Sequence, residues 1–158
     1  MGSPFDIVVL DAAGRITLGV GVNAHSIQPS AVTAARWVQE IRDAVFAGIP
    51  SDEHPAFLLA TPGAFFFWKA GLSQTERAAL GDLATYEWMV QADDILKPYF
   101  TRAGVRPGKA IDPGVFELIV WWWLGDVAAG IAKRHPNLEA QGFYKALAGG
   151  HVELRAAA

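Results

Sequence analysis

The chain contains no cysteine, which excludes disulfides, thiolate catalysis and zinc sites built on cysteine. That absence fits a reducing compartment, so a cytoplasmic location is the expectation. Long apolar runs are also missing. The longest, Leu118 to Leu124, falls far short of the ~20 residues of a membrane helix, and no segment reads as a signal peptide. No membrane partner is expected. An excess of positive charge is lacking too, with 13 Lys and Arg against 16 Asp and Glu and a net charge of −3. Phosphate binding draws its affinity from concentrated cations, so any nucleic-acid contact has to be local. Serine and threonine show no nucleophile-elbow spacing, and no glycine-rich loop precedes a helix as a phosphate cradle requires.

What is present is 158 residues, 52% hydrophobic, with no internal repeat or low-complexity linker. That is one domain, residues 1–158, with enough apolar side chain for a core. Asp6 opens an apolar run, Ile7-Val8-Val9-Leu10. Asp11-Ala12-Ala13-Gly14 then makes a turn that Asp11 caps through its side-chain oxygen, and Ile16 to Asn23 returns as a second strand. After Ser30 an amphipathic helix is predicted over 31–47, with Val32, Ala35, Val38, Ile41 and Val45 on one side and Arg36, Glu40 and Asp43 mostly on the other. Ala56 to Thr61 and Ala64 to Lys69 read as two strands joined by a tight turn at Pro62-Gly63.

This order of hairpin, helix and aromatic strand pair resembles the PD-(D/E)XK nuclease superfamily, the restriction-endonuclease-like fold, and is similar to the N-terminal domains of type I restriction subunits. The resemblance covers roughly residues 4–69. In that superfamily a strand ending in Asp pairs with one carrying Val-Glu-Val-Lys, and here the equivalent residues are Val20-Gly21-Val22-Asn23. The carboxylate is replaced by Gly21 and the ammonium by Asn23. The family's helix ahead of the first strand also lacks a counterpart, and a later helix or a second copy of the chain is expected in its place.

The chemistry explains why those replacements matter. Side chains two apart on a strand share a face, so Glu and Lys at that spacing sit together beside the Asp of the neighbouring strand. The carboxylates hold a divalent cation that stabilises charge on the phosphate, and the lysine places or deprotonates the attacking water. Glycine supplies no ligand and asparagine no charge. Asp6 is left as the one carboxylate in register, and the resemblance implies a nuclease-like scaffold without nuclease activity: a binding or assembly module with no cofactor. The alternative is an active Mg- or Mn-dependent DNA or RNA endonuclease with a rearranged site. In it His25, in alternating phase with Asn23, or Glu40, on the helix behind the sheet, joins Asp6 as ligand. His54, His135 and His151 lie in loops or near the tail and are not expected to ligate. Gly19 and Gly21, on one face of their strand, are expected to leave a shallow hollow, a former cleft now empty or filled by a neighbouring chain.

The second half, 71–158, reads as a mainly helical extension packed on a core of residues 1–70. Ser73 with Glu76 forms a capping box that starts a helix to about Leu96, stopped before Pro98. Lys97, Arg102, Arg106 and Lys109, with Tyr99 and Phe100 among them, form a basic segment without an acid; it is either a solvated inter-helix loop or a phosphate-contacting one. Asp112-Pro113 starts a helix to about Arg134, ended by His135-Pro136. A short helix over Leu138 to Leu147 closes at Gly149-Gly150, and His151 to Leu154 reads as an edge strand.

Within the long helix, Val115, Phe116 and Leu118 to Leu124 are apolar all round. Trp121, Trp122 and Trp123 project over about 200 degrees of arc. Two readings stand side by side: a self-association surface that makes the protein a homo-oligomer, or a helix seated in the groove left on the sheet by the missing first helix. The fold expected is α/β, a restriction-endonuclease-like mixed sheet of about four strands from the first half, with helix 31–47 on one face and the helical second half on the other. Nucleic acid and a second copy of the chain are the candidate partners.

Overall fold

A computed structural model describes residues 5–24, 47, 55–62, 64–68, 89–91, 93–106, 111–140 and 142–155. Six strands form one mixed sheet: β1 (Ile7–Leu10), β2 (Ile16–Val22), β3 (Ala56–Ala60), β4 (Ala64–Trp68), β5 (Met89–Gln91) and β6 (His151–Leu154), in the spatial order β5-β4-β3-β2-β1-β6. The chain is therefore of the α/β class. The first half supplies four strands as expected, but two short strands from the second half widen the sheet at its edges, so among the described residues the count of about four is corrected to six.

The β1–β2 hairpin is antiparallel with Ile7 opposite Val20 and Val9 opposite Leu18. Its turn depends on Asp11, whose Oδ1 accepts the amides of Ala13 and Arg15, each at 2.9 Å. Gly14, at φ 80°, takes the left-handed conformation that closes it. Those amide bonds, with the Arg15 charge, hold the Asp11 carboxyl below its ordinary range. β2 runs parallel to β3, which requires a connection back across the sheet. Helix 31–47, expected there, lies outside the described residues except for position 47. β3 and β4 form the expected antiparallel pair.

Four helices follow: α1 (Asp93–Ala103), α2 (Pro113–Ala128), α3 (Pro136–Ala140) and α4 (Phe143–Leu147). Ile7, Val9, Leu18, Val20, Leu58, Ala60, Phe65 and Phe67 form one sheet face, and the buried side of α2 (Phe116, Ile119, Val120, Trp123, Leu124, Val127) packs against it with α4. Val8, Phe57, Leu59 and Phe66, of opposite strand phase, are buried as well.

Several helix boundaries differ from the expectation. The helix predicted from Ser73 to about Leu96 does not extend that far: residues 89–91 are β5, paired antiparallel with β4. Nor does Pro98 stop a helix, because it lies inside α1. Proline there removes only the amide that would reach back to Asp94, in the opening turns of the helix. Two of the basic residues expected in an inter-helix loop, Lys97 and Arg102, instead lie on α1. The helix predicted to reach Arg134 ends at Ala128. Gly130, at φ 77°, donates to the Val127 carbonyl and Ile131 donates to that of Asp126, each at 3.0 Å. These two bonds satisfy the terminal carbonyls and turn the chain out of the helix. The helix predicted over 138–147 is divided between α3 and α4 by Gly142, also left-handed. Among the described residues no helix is long and apolar enough to cross a membrane.

Candidate functional site

Asp6 sits at the bend where the chain enters β1 and is bonded through three different groups. Its amide donates to the Val20 carbonyl at 2.9 Å, its carbonyl accepts the Arg155 amide at 2.8 Å, and its carboxylate Oδ2 accepts the Val22 amide at 2.8 Å. The side chain therefore works as a cross-strand tie, capping a β2 amide that the bend leaves without a backbone acceptor on β1. The residue expected to be the surviving metal ligand already has a structural use.

Beside it the second motif position is filled. A Cβ at Gly21 would lie 3.3 Å from Phe57 Cζ and 3.6 Å from Leu59 Cδ1, and a Cβ at Gly19 would overlap the Phe5 ring. Phe5 and Phe57 pack on each other with ring centroids 6.1 Å apart. The hollow expected over Gly19 and Gly21 is therefore neither empty nor filled by a neighbouring chain. Rings from the same chain occupy it, and the missing side chains are what allow them to lie against the strand.

Asn23 donates its amide to the Ala60 carbonyl at 2.9 Å, prolonging the β2–β3 ladder. Val22 packs toward the α2 side, so alternation assigns Asn23 to the Gly21 side. His25 and Glu40, the proposed substitute ligands, lie outside the described residues.

The Asp6 charge acts on a second carboxyl. It belongs to Glu117 on α2, where burial first and the Asp6 charge second hold its carboxyl above the ordinary glutamate range. Sequence reasoning nominated Glu40 and passed over Glu117, although Glu117 is the lone charged residue between Asp112 and Asp126 and an isolated acid in an apolar helix is a visible signal. Among the described residues no group of three or more histidine and acidic side chains converges as a metal site.

Lys97 and Arg102 are five residues apart on α1, about 140 degrees around the helix. The Arg102 guanidinium lies over the Trp122 ring at 4.7 Å and the Tyr99 ring at 5.5 Å. Arg106 follows the helix, and Lys109 is outside the described residues. Nearby, the Tyr99 hydroxyl donates to Asp126 at 2.7 Å, and its proton is held more tightly than in free tyrosine, by burial and then by that carboxylate. Tyr99, Arg102, Trp123, Asp126, Lys133 and Arg134 line a pocket of about 450 Å³ between α1, α2 and the following loop.

The tryptophan triplet divides. Trp123 is 1% exposed, stacked on Phe143 at 5.5 Å and tilted against Phe65 at 4.9 Å. It belongs to the core, so of the three rings named for a self-association surface this one is not exposed. Trp121 and Trp122 remain 39% and 36% exposed, with Val115 and Leu118 beside them on the outer side of α2. One side of α2 thus seats on the sheet and the other presents apolar surface. A groove of about 340 Å³ runs between Trp121 and Trp122 on α2 and Gly149 to Val152 at the start of β6.

No family model, no curated protein and no solved structure matches the chain. What the geometry defines is an α/β domain with a tied, ring-filled position at the end of the β1–β2 hairpin and, at the β6 edge, a groove walled by Trp121 and Trp122 that Asp126 and His151 also line.

Proposed function

We propose that this chain is a catalytically degenerate nuclease-like scaffold that works as a binding or assembly module. The observation that carries the reading is the state of the motif position. The Asp6 carboxylate is bonded to the Val22 amide, and the side of β2 where a glutamate would project is packed by Phe5, Phe57 and Leu59. Hydrolysis assisted by a divalent cation needs ligands free to bind it and an open approach for the phosphate. In their place are a structural tie and aromatic packing.

One observation favours the alternative, a metal-dependent endonuclease with a rearranged site. Glu117 brings a second carboxyl into the field of Asp6, in the role that the sequence reading gave to Glu40 or His25. Incubating the protein with single- and double-stranded DNA and RNA, with Mg or Mn, separates the two readings when Asp6→Ala and Glu117→Gln are run alongside. The expected result is no cleavage above a no-protein control in any of the three proteins. Metal-dependent cleavage lost in either variant overturns the non-catalytic reading.

A further inference from the structure

β6 ends the described sheet next to β1. Its residues alternate in the direction of their backbone groups. The Arg155 amide donates to the Asp6 carbonyl, so Arg155, Glu153 and His151 turn their N–H and C=O toward β1, while Val152 and Leu154 turn theirs to the outer edge. An edge of this kind templates another strand unless something blunts it. Proline is absent from this strand; on one face Glu153 lies 3.8 Å from both His151 and Arg155 within the chain, and on the other face stands an exposed leucine, Leu154, at 37% exposure.

The strand is also self-complementary. Antiparallel pairing about a two-fold axis through Val152 sets Val152 opposite Val152 of the second copy, His151 opposite its Glu153, and Leu154 opposite its Gly150. Opposed residues share a face. Leu154 and Val152 pair with Ile7 and Val9 of β1 and so share the face on which α2 packs. Each Leu154 would therefore enter the other copy's groove, the one walled by Trp121, Trp122 and Gly150. On the opposite face His151 and Glu153 would meet as two symmetric pairs of opposite charge whenever the histidine is protonated. The strand hydrogen bonds, the apolar plug and the charge order thus agree on a single register.

We propose that the chain forms an isologous dimer by antiparallel β6–β6 pairing about Val152, with Leu154 of each copy seated against Trp121 and Trp122 of the other. The partner is a second copy because both halves of the match, the knob Leu154 with its groove and His151 with Glu153, lie on the same chain. This deepens the assembly reading and rests on it.

The test uses the full chain in sedimentation velocity over a wide concentration range, with circular dichroism as the check on folding. Wild type is expected to shift from monomer to dimer. Val152→Pro removes an outward amide that β1 does not use and is expected to remain folded and monomeric. His151→Glu sets glutamates opposite each other twice, and His151→Lys with Glu153→Lys does the same with lysines. Each is expected to be monomeric alone, and an equimolar mixture of the two is expected to give a heterodimer. The pairing is overturned if wild type stays monomeric at every concentration, if dimers persist in the charge variants, if the mixture gives no heterodimer, or if mass rises only when single-stranded DNA is added. An inert monomer would sink this dimer and leave the non-catalytic reading in place; a dimer that cleaves nucleic acid would do the reverse.

Discussion

Around β2 the sheet is closed by the chain's own side chains, whereas along β6 no further strand pairs with it among the described residues. At the first site every group that a nuclease motif would present has another use or is absent: Asp6 caps Val22, and Phe5 and Phe57 fill the space over Gly19 and Gly21. At the second site no motif is written, yet a strand edge unpaired among the described residues, Leu154 and two half-exposed tryptophans lie together. The contrast separates what a motif reports from what a surface reports. A residue in a motif position can serve as a structural joint, while an apolar strand edge offers a template for another strand.

The largest effect that sharpens this comparison comes from neighbouring tryptophans. Trp123→Ala empties a core position stacked on Phe143 and Phe65 and is expected to cost about 3–5 kcal/mol in urea unfolding. Trp121→Ala is expected to change the stability of the monomer by less than about 0.5 kcal/mol while weakening self-association. Equal losses in the two variants would remove the distinction between core and groove.

Next in size is Gly19→Ala, whose methyl group would overlap the Phe5 ring. A destabilisation of about 1–3 kcal/mol is expected from forcing that buried ring aside. Combining it with Phe5→Leu should recover part of the loss, and a strictly additive double-mutant cycle would show that the ring is not what fills the hollow. Asp6→Ala leaves the Val22 amide without its acceptor and is expected to cost about 1–3 kcal/mol. By removing a like charge it should also lower the Glu117 pKa, measurable by NMR titration.

The smallest effect belongs to Glu117 itself. Its carboxyl binds a proton more tightly in the folded chain than in the unfolded one, so stability is complete below the ordinary glutamate range and declines as pH rises through the elevated folded value. Glu117→Gln removes that decline. The variant should gain less than about 1 kcal/mol over wild type at neutral pH, since solvent screens a part-exposed group, and nothing near pH 4. A gain that is larger in acid would reverse the assigned sign.

Much of the sheet was legible from residue order because its signals are local. Alternation and turn residues define β1 to β4, and His151 to Leu154 reads as a strand beside a glycine pair. Met89-Val90-Gln91 was hidden inside a helical pattern, and only its pairing with β4 makes it a strand. Helix ends were missed at Gly130 and Gly142, where a left-handed glycine stops a segment whose flanking residues favour helix. The divided fate of the tryptophans was not readable, since α2 is apolar all round and only the position of the sheet decides which ring is buried. At the motif, Asp6, Gly21 and Asn23 could be aligned from sequence. The Phe5 ring over Gly19 and the electrostatic coupling of Asp6 to Glu117, more than a hundred positions away along the chain, depend on tertiary packing that periodicity does not encode.

The claim on which the rest stands is that Asp6 is a structural tie and not a metal ligand. Titrating the protein with Mn²⁺ and following the free-ion signal by electron paramagnetic resonance tests it directly, with Asp6→Asn as the comparison. The account predicts matching titrations with no saturable site in either protein. Stoichiometric Mn²⁺ binding that disappears in Asp6→Asn would contradict it.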